Sequence, residues 1–148
     1  MKLKPCFALA CLLPAMIGTA HALEYRTVGA AAAILYDTPS EKGRKLFVAP
    51  RGMPVEVVLT YGQWNKVRDV SGDLTWVPAK ALSTKRNVVT SAVSARVRSA
   101  PEDGSALVFT ADKGVLLELV ELAKSGWVKV RHQDGQSGFV RATEVWGE

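Results

Sequence analysis

The chain says the same thing twice. Gly62-Gln63-Trp64-Asn65-Lys66-Val67-Arg68-Asp69 returns as Ser125-Gly126-Trp127-Val128-Lys129-Val130-Arg131-His132. Other landmarks recur in the same order: Pro39 with Pro101, Gly52 with Gly114, Gly72 with Gly135, and Trp76-Val77 with Phe139-Val140. The spacing holds at about 62–63 residues, longer than the roughly 20–50 residues of most solenoid repeats. A period this long is a whole small domain copied head to tail. It implies two modest cores instead of one large cleft. Units of about 60 residues are marginal on their own, so packing one against the other helps both.

The beginning of the chain reads as an export leader. Lys2 and Lys4 precede an apolar run over residues 7–17, and Ala20-His21-Ala22 is a small-residue cleavage signal. Cleavage is expected between Ala22 and Leu23. The run is shorter than the ~20 apolar residues of a transmembrane helix, so no membrane-spanning segment is expected. Both cysteines, Cys6 and Cys11, fall inside the leader. Ala8-Leu9-Ala10 is a poor lipobox, and apolar residues continue past Cys11, which argues against a lipid anchor there. The expected location is periplasmic or secreted. No disulfide is available there, so stability must come from apolar packing. Losing Lys2 and Lys4 lowers the formal charge from +5 to +3, a mildly basic balance that does not point to nucleic acid.

The remaining signals are β. Residues 54–60 and 115–122 are short runs rich in branched side chains, followed by strands over 64–70 and 127–131. Residues 74–77 and 137–140 close the units, and weaker strands are expected over 42–48 and 105–110. Hairpin connections fall at residues 61–63 and 123–126, and Gly72 and Gly135 mark the next turns. The alanine-rich stretch 29–33 has helical propensity, but its counterpart 91–95 reads as strand, and strand is expected in both. One-turn helices are expected at 79–82 and 142–145. The domains thus read as 1–22 leader, 23–82 first unit, 83–86 linker and 87–148 second unit. So short a linker implies domains that touch.

Alternation divides the repeated strand into two faces. Val67, Val128 and Val130 point one way. Trp64, Lys66 and Arg68 point the other, as do Trp127, Lys129 and Arg131. An aromatic followed by two cations suits a ligand with an apolar body and an acidic group. A tryptophan opening a strand of a tiny barrel also serves as a lid on the core, and the sequence leaves both roles open. Trp76 and Phe139 are expected in the cores, and Trp146 either caps the second unit or sits at the domain contact.

Catalytic chemistry is poorly supplied. Beyond the leader one histidine, His132, and no cysteine remain, which gives neither a Cys-His pair nor a zinc set. Residues 135–138 do not form a nucleophile elbow. Asp69 and Asp73 flank a turn instead of opposing each other across a sugar cleft. No phosphate-binding glycine loop is present. No catalytic residue, metal or cofactor is expected.

Nearly all of the chain after the leader resembles tandem bacterial SH3-like (SH3b) domains. The second copy carries Arg96-Val97-Arg98-Ser99-Ala100-Pro101, Lys113-Gly114-Val115, Gly126-Trp127-Val128-Lys129-Val130 and Asp134-Gly135-Gln136-Ser137-Gly138-Phe139-Val140, matching the pattern N-V-R-x-x-P, K-G-x-x-V-x-V, G-W-x-K-V and D-G-x-x-G-W-V. The first copy matches more loosely, and Tyr36 stands where the early arginine would be. The resemblance implies an all-β fold of two small, partly open SH3-like barrels in tandem. It implies a non-catalytic exported module for a cell-wall peptide or an envelope protein. The ligand surface would lie between the first loop (36–50 and 98–107) and the hairpin before the tryptophan. Tyr36, Tyr61, Trp64, Lys66, Arg68, Trp127, Lys129 and Arg131 are the expected binding residues. A periplasmic assembly subunit is the alternative, and a cell-wall hydrolase the remote one.

Overall fold

The computed structural model describes residues 22–148; residues 1–21 of the expected leader, with both cysteines, lie outside the described residues. The described chain is all-β. The first copy holds β1 (Glu24–Val28), β2 (Ala33–Tyr36), β3 (Lys45–Ala49), β4 (Pro54–Tyr61), β5 (Trp64–Arg68), β6 (Leu74–Pro78) and β7 (Leu82–Ser83). The second repeats them as β8 (Asn87–Thr90), β9 (Ser94–Arg98), β10 (Leu107–Asp112), β11 (Leu116–Lys124), β12 (Trp127–Arg131), β13 (Ser137–Arg141) and β14 (Val145–Trp146). Single 3-10 turns at Ala79–Ala81 and Ala142–Glu144 precede the last strand of each copy. Each copy is one antiparallel sheet that does not close, in the orders β3-β2-β6-β5-β4-β1-β7 and β10-β9-β13-β12-β11-β8-β14. Among the described residues no helix is long and apolar enough to cross a membrane.

Each sheet curls around its own core. Val28, Leu35, Val55, Val67 and Val77 fill the first, and Val88, Val97, Leu117, Val128, Val130 and Val140 the second. The branched residues of the repeated strands supply these cores, because strand alternation puts every second side chain inside. Backbone contacts are copied as faithfully. Gly52 N–H donates to Val28 O at 3.0 Å and Gly114 N–H to Thr90 O at 2.9 Å. Ala79 N–H reaches Gln63 O at 2.8 Å and Ala142 N–H reaches Gly126 O at 2.9 Å, tying each 3-10 turn to its hairpin.

Two expectations need correction. Residues 29–32 and 91–93 are not strand; β2 and β9 begin only at Ala33 and Ser94. The chain bends there because Gly29 N–H is drawn to Ala81 O at 2.8 Å, and Ser91 N–H to Glu144 O at 2.9 Å. These bonds lead to the end of the 3-10 turn, one residue beyond the ladder pairs Val28–Leu82 and Thr90–Val145. Trp76 and Phe139 are not core residues either. Thr75 and Val77 turn inward, as do Gly138 and Val140, so both rings lie half-buried on the outer face.

The copies touch. Asn87 Nδ2 donates to Gly52 O at 2.8 Å, Asn87 N–H donates to Thr27 Oγ1 at 3.2 Å, and Arg86 donates to Gly147 O at 3.0 Å. Tyr25 of the first copy meets Trp146 of the second edge to face, with centroids 5.2 Å apart, and the Arg86 guanidinium lies 5.5 Å from the Tyr25 ring. Trp146 therefore sits at the domain contact. Burial and, after it, the Glu56 carboxylate hold the Tyr25 hydroxyl above its ordinary pKa.

Candidate functional site

Cross-strand register builds an aromatic platform on the outer face of the first copy. Opposed residues of an antiparallel pair share a face. Leu59, Lys66, Trp76 and Tyr36 form one row across β4, β5, β6 and β2, and Tyr61, Trp64 and Pro78 form the next. The four rings interlock: Tyr36 meets Trp64 edge-on at 5.5 Å, and Tyr61 meets Trp76 edge-on at 6.4 Å. Lys66 Nζ stands 5.9 Å from the Trp76 ring. Tyr36 is buried at the base, Trp64 and Trp76 are half-buried, and Tyr61 is 65% exposed at the rim. Apolar ring faces with a lysine beside one of them suit an extended ligand with an apolar stem and an acidic group. Arg68 stands apart from the platform, because its guanidinium bonds Glu56 Oε2 at 3.0 Å.

The same face of the second copy is built of charge. Arg98 replaces Tyr36, Lys124 replaces Tyr61, Phe139 replaces Trp76, and Arg141 faces Trp127 across the ladder where Pro78 faces Trp64. Trp127 is only 6% exposed, covered by the Arg141 guanidinium 4.5 Å from its ring. Arg141 in turn bonds Asp103. Lys129 bonds Glu121 at 3.0 Å while lying 5.7 Å from Phe139. Arg98 donates to Ser105 O at 2.8 Å, fixing the loop before β10. Gly138 is required beside it, since a Cβ there would lie 2.5 Å from Arg98 O. Recesses of 250 Å³ and 260 Å³ flank Trp127, the first lined by Arg96, Arg98 and Arg141, the second by Lys129 and Phe139. Arg131 lies at the end of β12, exposed, and turns toward the domain junction.

The structure thus gathers Tyr36, Tyr61, Trp64 and Lys66 and adds Trp76. It leaves Arg68 and Arg131 outside, and it covers Trp127. The signal for Trp76 lay in the alternation of Leu74-Thr75-Trp76-Val77, which sends Trp76 outward whatever its size. The cover on Trp127 comes from Arg141 and Asp103, 38 residues apart, and no local pattern announces it. His132 sits on the turn after β12, with Nδ1 3.0 Å from Asp134 Oδ2. The Gln136 backbone N–H and side chain hold Asp134 below the usual carboxylate pKa. Among the described residues no group of three histidine, cysteine or acidic side chains stands close enough to hold a metal.

No curated protein matches this sequence. Among solved structures the chain is similar to NlpC2 from Trichomonas vaginalis, at 10% identity and a TM-score of 0.41, over 88% of this chain and 50% of that one. It is similar to NlpC1 from the same organism, at 12% identity and a TM-score of 0.40, over 95% and 51%. It is also similar to an NlpC/P60 family protein from Bacillus cereus, at 17% identity and a TM-score of 0.37, over 83% and 56%. The chain spans about half the length of these proteins. The bacterial SH3 domain family model matches twice, at residues 29–84 and 91–147, which leaves only β1 and β8 of the two sheets outside it. Two sheets of one topology, two separate valine-rich cores and two matches in register lead to one conclusion: this chain belongs to the bacterial SH3 domain family, as two copies in tandem.

Proposed function

We propose that this protein is a non-catalytic, exported binding module that holds a peptidoglycan peptide, or another extended envelope component, on the platform of its first domain. One observation carries the reading: Tyr36, Tyr61, Trp64 and Trp76 share one outer face with Lys66 beside Trp76, while on the equivalent face of the second domain Trp127 is covered by Arg141 and Lys129 is bonded to Glu121. The rings would stack along the ligand stem, and Lys66 would meet an acidic group. The second domain acts mainly as scaffold, its Trp127 covered and its Lys129 engaged. The non-catalytic part rests on the sequence, with one histidine and no cysteine beyond the leader. The test is retention on purified cell wall. Trp64→Ala and Tyr61→Ala should each reduce retention, and Trp127→Ala variants that remain folded should not. Unchanged retention in both first-domain variants would remove the assigned face.

A second reading, a periplasmic assembly subunit, is favoured by the free edge of the first sheet. Among the described residues β3 pairs only with β2, and Leu46, Phe47 and Val48 on it are 44%, 48% and 61% exposed. Such an edge can accept a strand from a partner. Cross-linking from β3 that captures one protein in stoichiometric yield, without wall retention, would favour it.

A further inference from the structure

A recess of 390 Å³ lies between the two domains. Arg51 and Gly52 line it from the first domain, Lys85 from the linker, and Asn87, Leu116, Glu118 and Arg131 from the second, so three cations share it with one carboxylate. The recess belongs to the tandem and not to either unit. Gly52 lies against the second domain: a Cβ there would stand 3.2 Å from Asn87 Nδ2 and 3.4 Å from Leu116 Cδ1. A Cβ at its repeat partner Gly114 would meet nothing within 4 Å among the described residues. The Asn87 bond to Gly52 O then fixes the loop that carries Arg51.

Charge has diverged at the same place. In the first copy Arg68 is neutralised by Glu56 at 3.0 Å. In the second, the corresponding Glu118 pairs instead with Lys85 at 3.7 Å. Among the described residues neither Arg131 nor Arg51 has a carboxylate within 4 Å. Two unneutralised guanidiniums on one concave surface create a local positive potential that an oxyanion relieves. Arginine presents a planar fork suited to a carboxylate. Leu116, half-buried beside them, offers an apolar contact that a bare ion does not use. Both arginines line one recess beside an apolar side chain, which fits the end of a peptide chain better than a polyanion.

We propose that this interdomain recess is a second binding site, for the free C-terminal carboxylate of a short peptide ending in small aliphatic residues, gripped by Arg51 and Arg131 with Leu116 against the side chain. It is independent of the barrel-face reading. The test is an NMR titration of the full chain with N-acetyl-alanyl-alanine, its C-terminal amide, and inorganic phosphate. The free acid should give saturating shifts at Arg51, Gly52, Arg131 and His132, and the amide should not. Arg51→Gln and Arg131→Gln should each weaken binding by about tenfold or more, the loss of one charge-assisted contact. Lys80→Gln, on an exposed 3-10 turn, should leave it unchanged. Equal binding of the amide or of phosphate, or unchanged affinity in both arginine variants, would overturn the proposal. Shifts confined to Tyr61 and Trp64 would overturn it too, and would leave the barrel-face reading standing.

Discussion

Gly52 and Gly114 form a matched pair that isolates the worth of the domain contact. Their φ angles are +87° and +89°, a region where a side chain costs about 1–2 kcal/mol. Replacing either with alanine incurs that backbone cost equally. Only at Gly52 does the new Cβ press on the other domain, 3.2 Å from Asn87 Nδ2. The amide must yield, and its 2.8 Å bond to Gly52 O lengthens or breaks. A hydrogen bond of this kind is worth about 0.5–1.5 kcal/mol net. Gly114→Ala should therefore cost about 1–2 kcal/mol and Gly52→Ala about 1 kcal/mol more. Urea denaturation gives the difference, and residual dipolar couplings report the angle between domains, which should change only in Gly52→Ala. Equal destabilisation with an unchanged angle in both variants would refute the idea that Gly52 is glycine for the sake of the neighbouring domain.

Trp127→Ala removes a ring that is 6% exposed and should cost about 3–5 kcal/mol. Trp64→Ala, at a half-buried position, should cost less, about 1–2 kcal/mol; equal costs by denaturant titration would contradict the contrast between the two faces. The raised pKa of Tyr25 means that the folded state holds its proton longer than the unfolded chain does. Its contribution is complete below the ordinary value of 10.0 and is lost as pH rises through that value toward the folded one. Tyr25→Phe should flatten this part of the alkaline decline in stability, measured by denaturation at several pH values; an unchanged slope would show that Tyr25 is not buried at the contact.

Much of the fold was legible because strand alternation and turn chemistry are local. Val67, Val128 and Val130 read as inward from their spacing alone and are fully buried. Gly72 and Gly135 marked turns that the backbone makes with positive φ. Residues 29–32 misled, because alanine propensity and a loose repeat alignment gave no hint of the bond from Gly29 to Ala81. Trp76 and Phe139 depart from the expected core for another reason: strand alternation sets the face a side chain takes, whatever its bulk. The strands β1 and β8 lacked flanking turn signals, and pairing with β4 and β11 is what makes them strands.

From the sequence alone came the duplication, the all-β class, the inward valines, and the tryptophan-lysine-arginine stripe on each repeated strand. Each follows from spacing along the chain, and spacing survives without a fold. Tertiary structure decided which stripe is open. Arg141 and Asp103 meet over Trp127 from distant positions, and Glu56 claims Arg68 while Glu118 turns to the linker and leaves Arg131 unpaired among the described residues. It also made the recess between domains, which depends on how closely two backbones approach at Gly52. Through-space pairing of charges and the contact distance between domains are set by packing in three dimensions, and two nearly identical strands carry no record of them.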